Sequence, residues 1–390
     1  MSAKIIPLSQ LSSPEIAHRL AIQALSEGKL VIFPTETVYG IAVRADSPAA
    51  VRRLISAKNR HEKNPFTLVL PDAARIPEIL PEMGMLAGRL ARRCFPGPVT
   101  LVADASSEKS TIHSLPAETK KYVAPENSVG IRVPAHAFTL AVLRDADFPV
   151  VLTSANLSGE ADTTSAEDVI QKLADRVDII FADGDCRYKI PSTVVQIPPG
   201  EEKIRVLREG VFSCRNIRRF CEMQVLFVCT GNTCRSPMAE GLAARIVSGM
   251  MGLEQESLRE HGYFIHSAGL SATAGARAAN SAIQTLAGEY RTNLELHTAA
   301  PVTPAMLTSA DFIYGMTPDH AAALMSLAPE AAHRVKVLSE ETGGIRDPFG
   351  GRPVVYRRCA WQIERALMLE VVTEDFFSEL ILTRDAMKDI

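Results

Sequence analysis

Apolar positions along the chain recur in two periods, and the periods take turns. Runs such as KLVIF (29–33), FTLVL (66–70), VTLVA (99–103), VGIRV (129–133), FPVVLT (148–153) and VDIIFA (177–182) read as buried or half-buried strands. Helical spacing separates them. Ser13 as N-cap, Pro14 at the first turn, Ile16, Leu20, Ala24 and Leu25 on one face and Gly28 as the stop predict a first helix, and Ser47-Pro48 opens a second that runs to about Lys58. From Gln224 the pattern restarts with QVLFVC, followed by strands YFIHSAG, ADFIYGM and VKVL and helices at about 276–289, 318–327 and 353–382. This alternation predicts an α/β protein throughout, with a small doubly wound parallel sheet in the second half. No internal repeat and no low-complexity segment interrupts it.

The 390 residues exceed one ordinary core, and the text changes near residue 200. Between Lys203 and Glu222 six basic residues (Lys203, Arg205, Arg208, Arg215, Arg218, Arg219) face two acidic ones. The expected organisation is therefore a domain over 1–208, a basic linker over 209–223 and a second domain over 224–390. A formal charge of −3 supplies no global field for nucleic acid or anionic lipid, so any RNA contact is local. The N-terminus has neither a signal-peptide h-region nor an anchor, and no apolar run is long enough to span a membrane. Seven scattered cysteines without a Cys-x-x-Cys pair indicate a reducing, cytoplasmic setting, and the histidines lack metal-pair spacing, so no metal site is expected.

Candidate chemistry concentrates first at Cys229-Thr230-Gly231-Asn232-Thr233-Cys234-Arg235-Ser236, between an apolar strand and a helix. A loop at the mouth of a helix aims successive backbone N–H groups and the positive dipole end at one point, which suits a phosphate. Gly231 permits the tight curve, Asn232 tolerates left-handed backbone angles, and Arg235 offers a bidentate grip on phosphate oxygens. The same field favours the thiolate of Cys229, and Ser236 is placed to donate to the sulfur. Asp347-Pro348 supplies a carboxylate for general acid and base work, where an isolated Asp-Pro would read only as a turn. Cys234 is either a thiol that traps oxidised Cys229 or a small apolar side chain behind the loop.

With these residues the stretch from 224 to about 384 resembles the low-molecular-weight phosphotyrosine phosphatase family, to which His266-Ser267-Ala268-Gly269 and Met316-Thr317 add. The resemblance implies Cys229 as nucleophile, Arg235 as phosphate clamp, Asn232 and Ser236 as loop organisers, and Asp347 as acid. Thr233 and the Asp-Pro-Phe-Gly-Gly form are more similar to the protein-arginine phosphatase branch than to the tyrosine branch, whereas Arg352 departs from the small residue usual there. Phosphorylated proteins are the implied substrates, with no cofactor. Arsenate reductases share the loop, but only Cys359 remains downstream to relay a disulfide; a redox-regulated phosphate sensor is the other alternative.

In the first half, Pro34-Thr35-Glu36-Thr37-Val38-Tyr39-Gly40, Lys58-Asn59-Arg60, Ser154-Ala155-Asn156 and Ser192-Thr193-Val194-Val195 are individually weak signals. Lys58 and Arg60 alone would read as helix-end cations, and Ser154-Ala155-Asn156 as a turn. Jointly, with Arg132 and Arg208, they describe two cations for a triphosphate, hydroxyls and amides for a ribose or amino acid, and no nucleophile, a site that works by positioning. They resemble the YrdC-like L-threonylcarbamoyladenylate synthases over about 8–208, with FPGPVTL (95–101) in support. That resemblance implies an open, twisted α/β sheet and condensation of L-threonine, bicarbonate and ATP for a tRNA modification. It assigns Thr35, Arg132 and Ser192 to threonine, and Lys58, Arg60, Asn64, Ser154, Asn156 and Arg208 to ATP accompanied by Mg2+. It allows tRNA or tRNA-modification proteins as partners. Lys189-Ile190-Pro191 departs from the family's frequent glycine, and the family's long-form C-terminal domain is replaced here. The competing reading is a non-catalytic RNA-binding module.

Overall fold

The computed structural model describes residues 2–10, 13–59, 65–198, 203–370 and 373–387, which divide into two compact units with the boundary between Ile217 and Arg218. The first unit is built on a mixed ten-stranded sheet. Its strands in chain order are β1 (Lys4–Pro7), β2 (Val31–Phe33), β3 (Gly40–Arg44), β4 (Thr67–Val69), β5 (Val99–Asp104), β6 (Ser128–Arg132), β7 (Val150–Ser154), β8 (Ile179–Ala182), β9 (Thr193–Gln196) and β10 (Arg205–Arg208). Across the sheet they run β1-β8-β2-β3-β7-β4-β6-β5-β9-β10. Every expected strand is present. β1, β3, β9 and β10 are additional: turn-like neighbours in sequence mask these runs.

The first helix occupies Pro14–Ser26, and Gly28 follows it at φ 71°, as the sequence predicts. Its buried face is Ala17, Ala21, Ala24 and Leu25, while Ile16 points to solvent. The expected face was therefore rotated by one residue at its start, where Pro14 and Glu15 already occupy the exposed first turn. The second helix, Pro48–Lys58, is capped by Ser47, whose hydroxyl accepts from Ala50 N at 3.3 Å, and it ends where Asn59 turns left-handed at φ 50°.

The second unit has an all-parallel sheet of β11 (Met223–Cys229), β12 (Tyr263–Gly269), β13 (Phe312–Gly315) and β14 (Val335–Val337), in the order β12-β11-β13-β14. The central strand β11 is apolar on both faces, as a covered parallel strand must be. Val225, Phe227 and Cys229 pack toward the helices Arg235–Met251 and Pro353–Glu370, and Leu226 and Val228 toward the side of Leu307 and Leu324. Each fully buried side chain of this size contributes roughly 1.5–3 kcal/mol of transfer free energy.

Two expected helices differ. Residues 276–279 are not helical, because their backbone pairs elsewhere: Ala299 N donates to Ala276 O at 2.7 Å and Ala279 N to Thr233 O at 2.8 Å. The helix starts at Asn280, is α-helical to Thr285 and continues as a π-helix over Leu286–Tyr290, so only its start differs. The predicted 353–382 segment is two helices, Pro353–Glu370 and Glu374–Ala386, the second begun by Thr373, whose hydroxyl accepts from Phe376 N at 3.4 Å. A capping threonine after two β-branched residues is the signal that the long apolar periodicity concealed. Among the described residues no helix is long and apolar enough to cross a membrane.

Candidate active sites

In the first unit the pleat aims the polar residues. Val129 and Ile131 of β6 are buried in the core, so Gly130 and Arg132 face the opposite side. Thr100 and Val102 of β5, and Ser192, Val194 and Gln196 at β9, take the same face by the same two-residue period. Together they line a cavity of about 590 Å³ that also receives Lys58, Ser154, Asn156 and Arg208. A register shift between Val206 and Arg208 breaks the β9–β10 ladder and re-aims the arginine.

Lys58 extends the buried face of its helix after Ala50, Val51 and Leu54, so its stem runs inward. Its Nζ donates to Ser154 O, and to Asn156 Oδ1 and Thr153 Oγ1 at 3.3 Å each. Ser154 Oγ donates to Asn156 Oδ1 at 2.6 Å, and Asn156 Nδ2 to Glu160 O at 2.7 Å. Arg132 Nη2 donates to Glu36 Oε1 at 2.8 Å and to Thr37 Oγ1 at 2.7 Å, and Glu36 Oε2 accepts from Ala135 N at 2.9 Å. Arg208 Nη2 donates to Ser192 O at 2.9 Å, and burial lowers its pKa from the ordinary value. Ser192 and Thr100 share a hydroxyl contact of 2.9 Å.

Lys58, Arg132, Ser154, Asn156, Ser192 and Arg208 thus meet at one cavity. Thr35 does not line it: its hydroxyl donates to Val38 O at 2.6 Å and accepts from Thr37 N and Val38 N, organising the turn that carries Glu36 and Thr37. Arg60 and Asn64 lie outside the described residues. Glu36 and Thr37 were in the motif but received no role in the sequence reading, because only the fold brings them to Arg132.

In the second unit the loop from Cys229 to Arg235 wraps around the nucleophile candidate. Asn232 N donates to Cys229 Sγ at 3.3 Å and Ser236 Oγ lies 3.0 Å from it. Ser236 has one hydroxyl hydrogen, shared in reach with Ala268 O at 3.2 Å, and a thiolate would draw it to sulfur. Asn232 sits at φ 54°. It is the loop's left-handed residue, whereas Gly231 is not. Its side chain donates to Ser236 Oγ at 3.0 Å and Ser267 Oγ at 2.8 Å and accepts from Ala300 N at 2.9 Å. His297 Nε2 meets Asn232 O at 2.9 Å, and Ser267 donates to Glu240, whose carboxyl burial pushes up. Gly269 has a steric reason: a Cβ there would lie 2.7 Å from Thr230 O.

Arg235 is buried and its Nη2 donates to Asp347 Oδ2 at 2.6 Å and to Thr230 Oγ1 at 3.4 Å. Thr230 Oγ1 lies 2.9 Å from His320 Nε2, and His320 Nδ1 lies 2.6 Å from Thr317 Oγ1. Sequence reasoning missed His320; only its place three residues after a capping threonine hinted at it. Cys234 Sγ lies 3.5 Å from Tyr356 Oη and 3.7 Å from Thr233 Oγ1. Cys359 is buried, and burial pushes its thiol up to about 12. Among the described residues no group of three or more His, Cys, Asp or Glu side chains forms a metal-binding cluster.

Comparison with known proteins matches two family models, one in each unit. Residues 23–210 match the Sua5/YciO/YrdC family model, described as telomere recombination, and residues 224–374 match the low molecular weight phosphotyrosine protein phosphatase model. The threonylcarbamoyl-AMP synthase of Pyrococcus abyssi is 33% identical over 179 residues, 46% of this chain and 50% of that protein. The chain thus spans half of that relative's length. The putative threonylcarbamoyl-AMP synthase of Methanocaldococcus jannaschii is 30% identical over 219 residues, 55% of this chain and 97% of that protein. The crystal structure of P. abyssi Sua5 complexed with L-threonine superposes with a TM-score of 0.50 at 26% identity, covering 59% of this chain and 72% of that one. A low molecular weight protein tyrosine phosphatase structure from T. tengcongensis is 33% identical, covers 39% of this chain and 100% of that one, and has a TM-score of 0.34.

Proposed function

Because the chain belongs to the Sua5/YrdC family through its first unit and to the low-molecular-weight phosphatase family through its second, we propose that it is a bifunctional enzyme. The first unit condenses L-threonine, bicarbonate and ATP to threonylcarbamoyl-AMP and pyrophosphate, an intermediate for tRNA modification. The observation that carries this reading is the cavity itself: two arginines, a lysine and several hydroxyls line it, and no cysteine, histidine or carboxylate does among the described residues. Such a lining positions reactants and neutralises charge without a covalent step. Arg132 and Ser192 hold the amino acid, and Lys58, Ser154, Asn156 and Arg208 the nucleotide. Among the described residues the lining provides no carboxylate for a protein-held Mg2+, which fits an ion carried on the triphosphate, where it would neutralise phosphate charge. Pyrophosphate release that requires both threonine and bicarbonate is the test; release indifferent to threonine would favour a different nucleotide chemistry.

The second unit hydrolyses phosphorylated protein side chains. Cys229 Sγ attacks phosphorus, the loop N–H groups and Arg235 hold the oxygens, and Asp347 gives a proton to the leaving group, then takes one from the water that releases phosphate. Its carrying observation is the sulfur within reach of both Asn232 N and Ser236 Oγ, with Arg235 and Asp347 joined beside it. Thr233 and the Asp-Pro-Phe-Gly-Gly loop support phosphoarginine as the preferred substrate over phosphotyrosine. A panel of both peptide types on the intact protein decides: preference for phosphotyrosine would refute the assignment, and Thr233→Ile is expected to move preference that way. Cys359 is buried in the core, and that burial pushes its thiol up, which argues against a disulfide relay and hence against arsenate reduction.

A further inference from the structure

The helix Pro353–Glu370 has a second face that the phosphatase site does not use. Tyr356, Cys359, Ala360 and Ile363 turn into the core. On the outer side Val354, Arg358, Trp361, Arg365 and Leu369 follow one another at helical spacing, a continuous stripe. Trp361 is 55% exposed, Val354 55% and Leu369 59%, which is unusual for apolar residues aligned on one face. This stripe forms one wall of a groove of about 570 Å³ whose remaining lining includes Ser339, Thr342 and Arg346.

The groove is cationic. Arg346, Arg358 and Arg365 line it against one carboxylate, Glu341. Two nearby arginines are matched: Arg357 pairs with Glu289 at 3.4 Å, and Arg245 pairs with Glu364. Among the described residues the three groove arginines have no ion-pair partner; Arg365 lies 5.7 Å from the ring centroid of Trp361. The groove is tied to the phosphatase site through the chain itself: its Arg346 immediately precedes Asp347, and Cys359 Sγ donates to Arg346 O at 3.6 Å.

We propose that this groove docks an acidic segment of the phosphoprotein substrate, beside the phosphorylated residue held by the Cys229 loop. The proposal rests on the phosphatase reading above. Guanidiniums bind carboxylates bidentately, and an exposed tryptophan beside them is the kind of anchor that dominates a small interface. Trp361 between the two helix arginines, with the aliphatic Val354 and Leu369 flanking them, suits a peptide in which acidic and apolar residues alternate; an RNA strand would lay its charged backbone against these apolar side chains.

Trp361 is the chain's single tryptophan, so its emission reports on the groove directly. The intact protein is titrated with an unphosphorylated peptide of mixed glutamate and leucine. A saturable change is expected, weakened at least about tenfold in an Arg358→Glu/Arg365→Glu double variant and weakened by added salt. The same variant should raise KM about tenfold for a phosphopeptide carrying that segment while leaving hydrolysis of a small aryl phosphate unchanged, with circular dichroism confirming its fold. A wild-type protein inert toward the aryl phosphate would refute the phosphatase reading, while the titration still decides the groove. No saturable change with the peptide, saturation by single-stranded RNA in its place, or an emission change with protein concentration alone, which marks a second copy as occupant, would each overturn the proposal.

Discussion

Arg235 Nη2 and Asp347 Oδ2 are 2.6 Å apart, a contact between the proposed phosphate clamp and the proposed acid. The guanidinium side is 6% exposed and the carboxylate side 48%, so the clamp is fixed and the acid loop is the partner with room to move. A phosphate gripped by Arg235 must take over this contact, which turns Asp347 toward the leaving group. Asp347→Asn is therefore expected to tighten binding of inorganic phosphate several-fold while slowing turnover of unactivated esters on the order of a hundredfold. Activated aryl esters, which need no proton, should lose least. Equal losses across leaving groups would remove Asp347 as the acid, and an unchanged phosphate affinity would remove the competition.

His320 links that pair to the loop through Thr230. Its pKa is lowered from the usual value, chiefly by burial and then by Arg235, with Asp347 and Asp319 opposing. The unfolded imidazole thus takes up a proton at a higher pH than the folded one. Stability conferred on the second unit is complete above about pH 6.5 and declines as pH falls through that value toward the folded pKa. Urea melts followed by Trp361 emission between pH 5 and 7.5 should show this acid limb, and His320→Gln should flatten it. A limb unaltered in the variant would assign it to another group.

The cysteine loop was legible because its function demands a contiguous stretch: strand, turn and helix mouth place Cys229, Asn232, Arg235 and Ser236 together without long-range help. Lys58, Arg132 and Ser192 were legible only as a set, since strands far apart in sequence bring them to one cavity. The residues that went unread share a different property. Glu36, Glu240, His297 and His320 act through another side chain, and a local pattern has no period or spacing that records a partner 65 or 96 positions away. Thr35 shows the converse. The resemblance assigns it to threonine, but its hydroxyl is consumed by its own turn. The helix breaks near 280 and 373 were hidden because apolar periodicity continued through residues whose backbone or hydroxyl bonds elsewhere.

Lys58 is buried and contacts both the Ser154 and Asn156 segments, so it organises the proposed nucleotide site as well as charging it. Lys58→Ala should lower threonine-dependent pyrophosphate release by on the order of a hundredfold or more. Asn156 Oδ1 keeps Ser154 Oγ as a donor at 2.6 Å, so the lost Lys58 contacts should cost about 1 kcal/mol of stability in the first unit. Phosphatase kinetics of the same preparation serve as the internal control and should not change. Undiminished synthesis would withdraw Lys58 from the site.

Glu36 and Arg132 form a buried pair at 2.8 Å, with 4% and 6% of their side chains exposed. Each oxygen of Glu36 has its own donor, Arg132 Nη2 for one and Ala135 N for the other. An amide in place of the carboxylate supplies one acceptor oxygen and one NH2 group, so in either orientation a donor faces a donor, and with the oxygen kept by Ala135 N the NH2 faces Arg132. Arg132 would then lose the contact that fixes its fork, while Thr37 Oγ1 at 2.7 Å still holds one edge. Glu36→Gln is expected to raise KM for threonine roughly tenfold with little change in KM for ATP, and to destabilise the unit by about 1–3 kcal/mol. The split between the two substrates is the informative readout. A stability loss with both KM values unchanged would make Glu36 a core residue only, and a parallel rise in both would place Arg132 at the nucleotide instead of the amino acid.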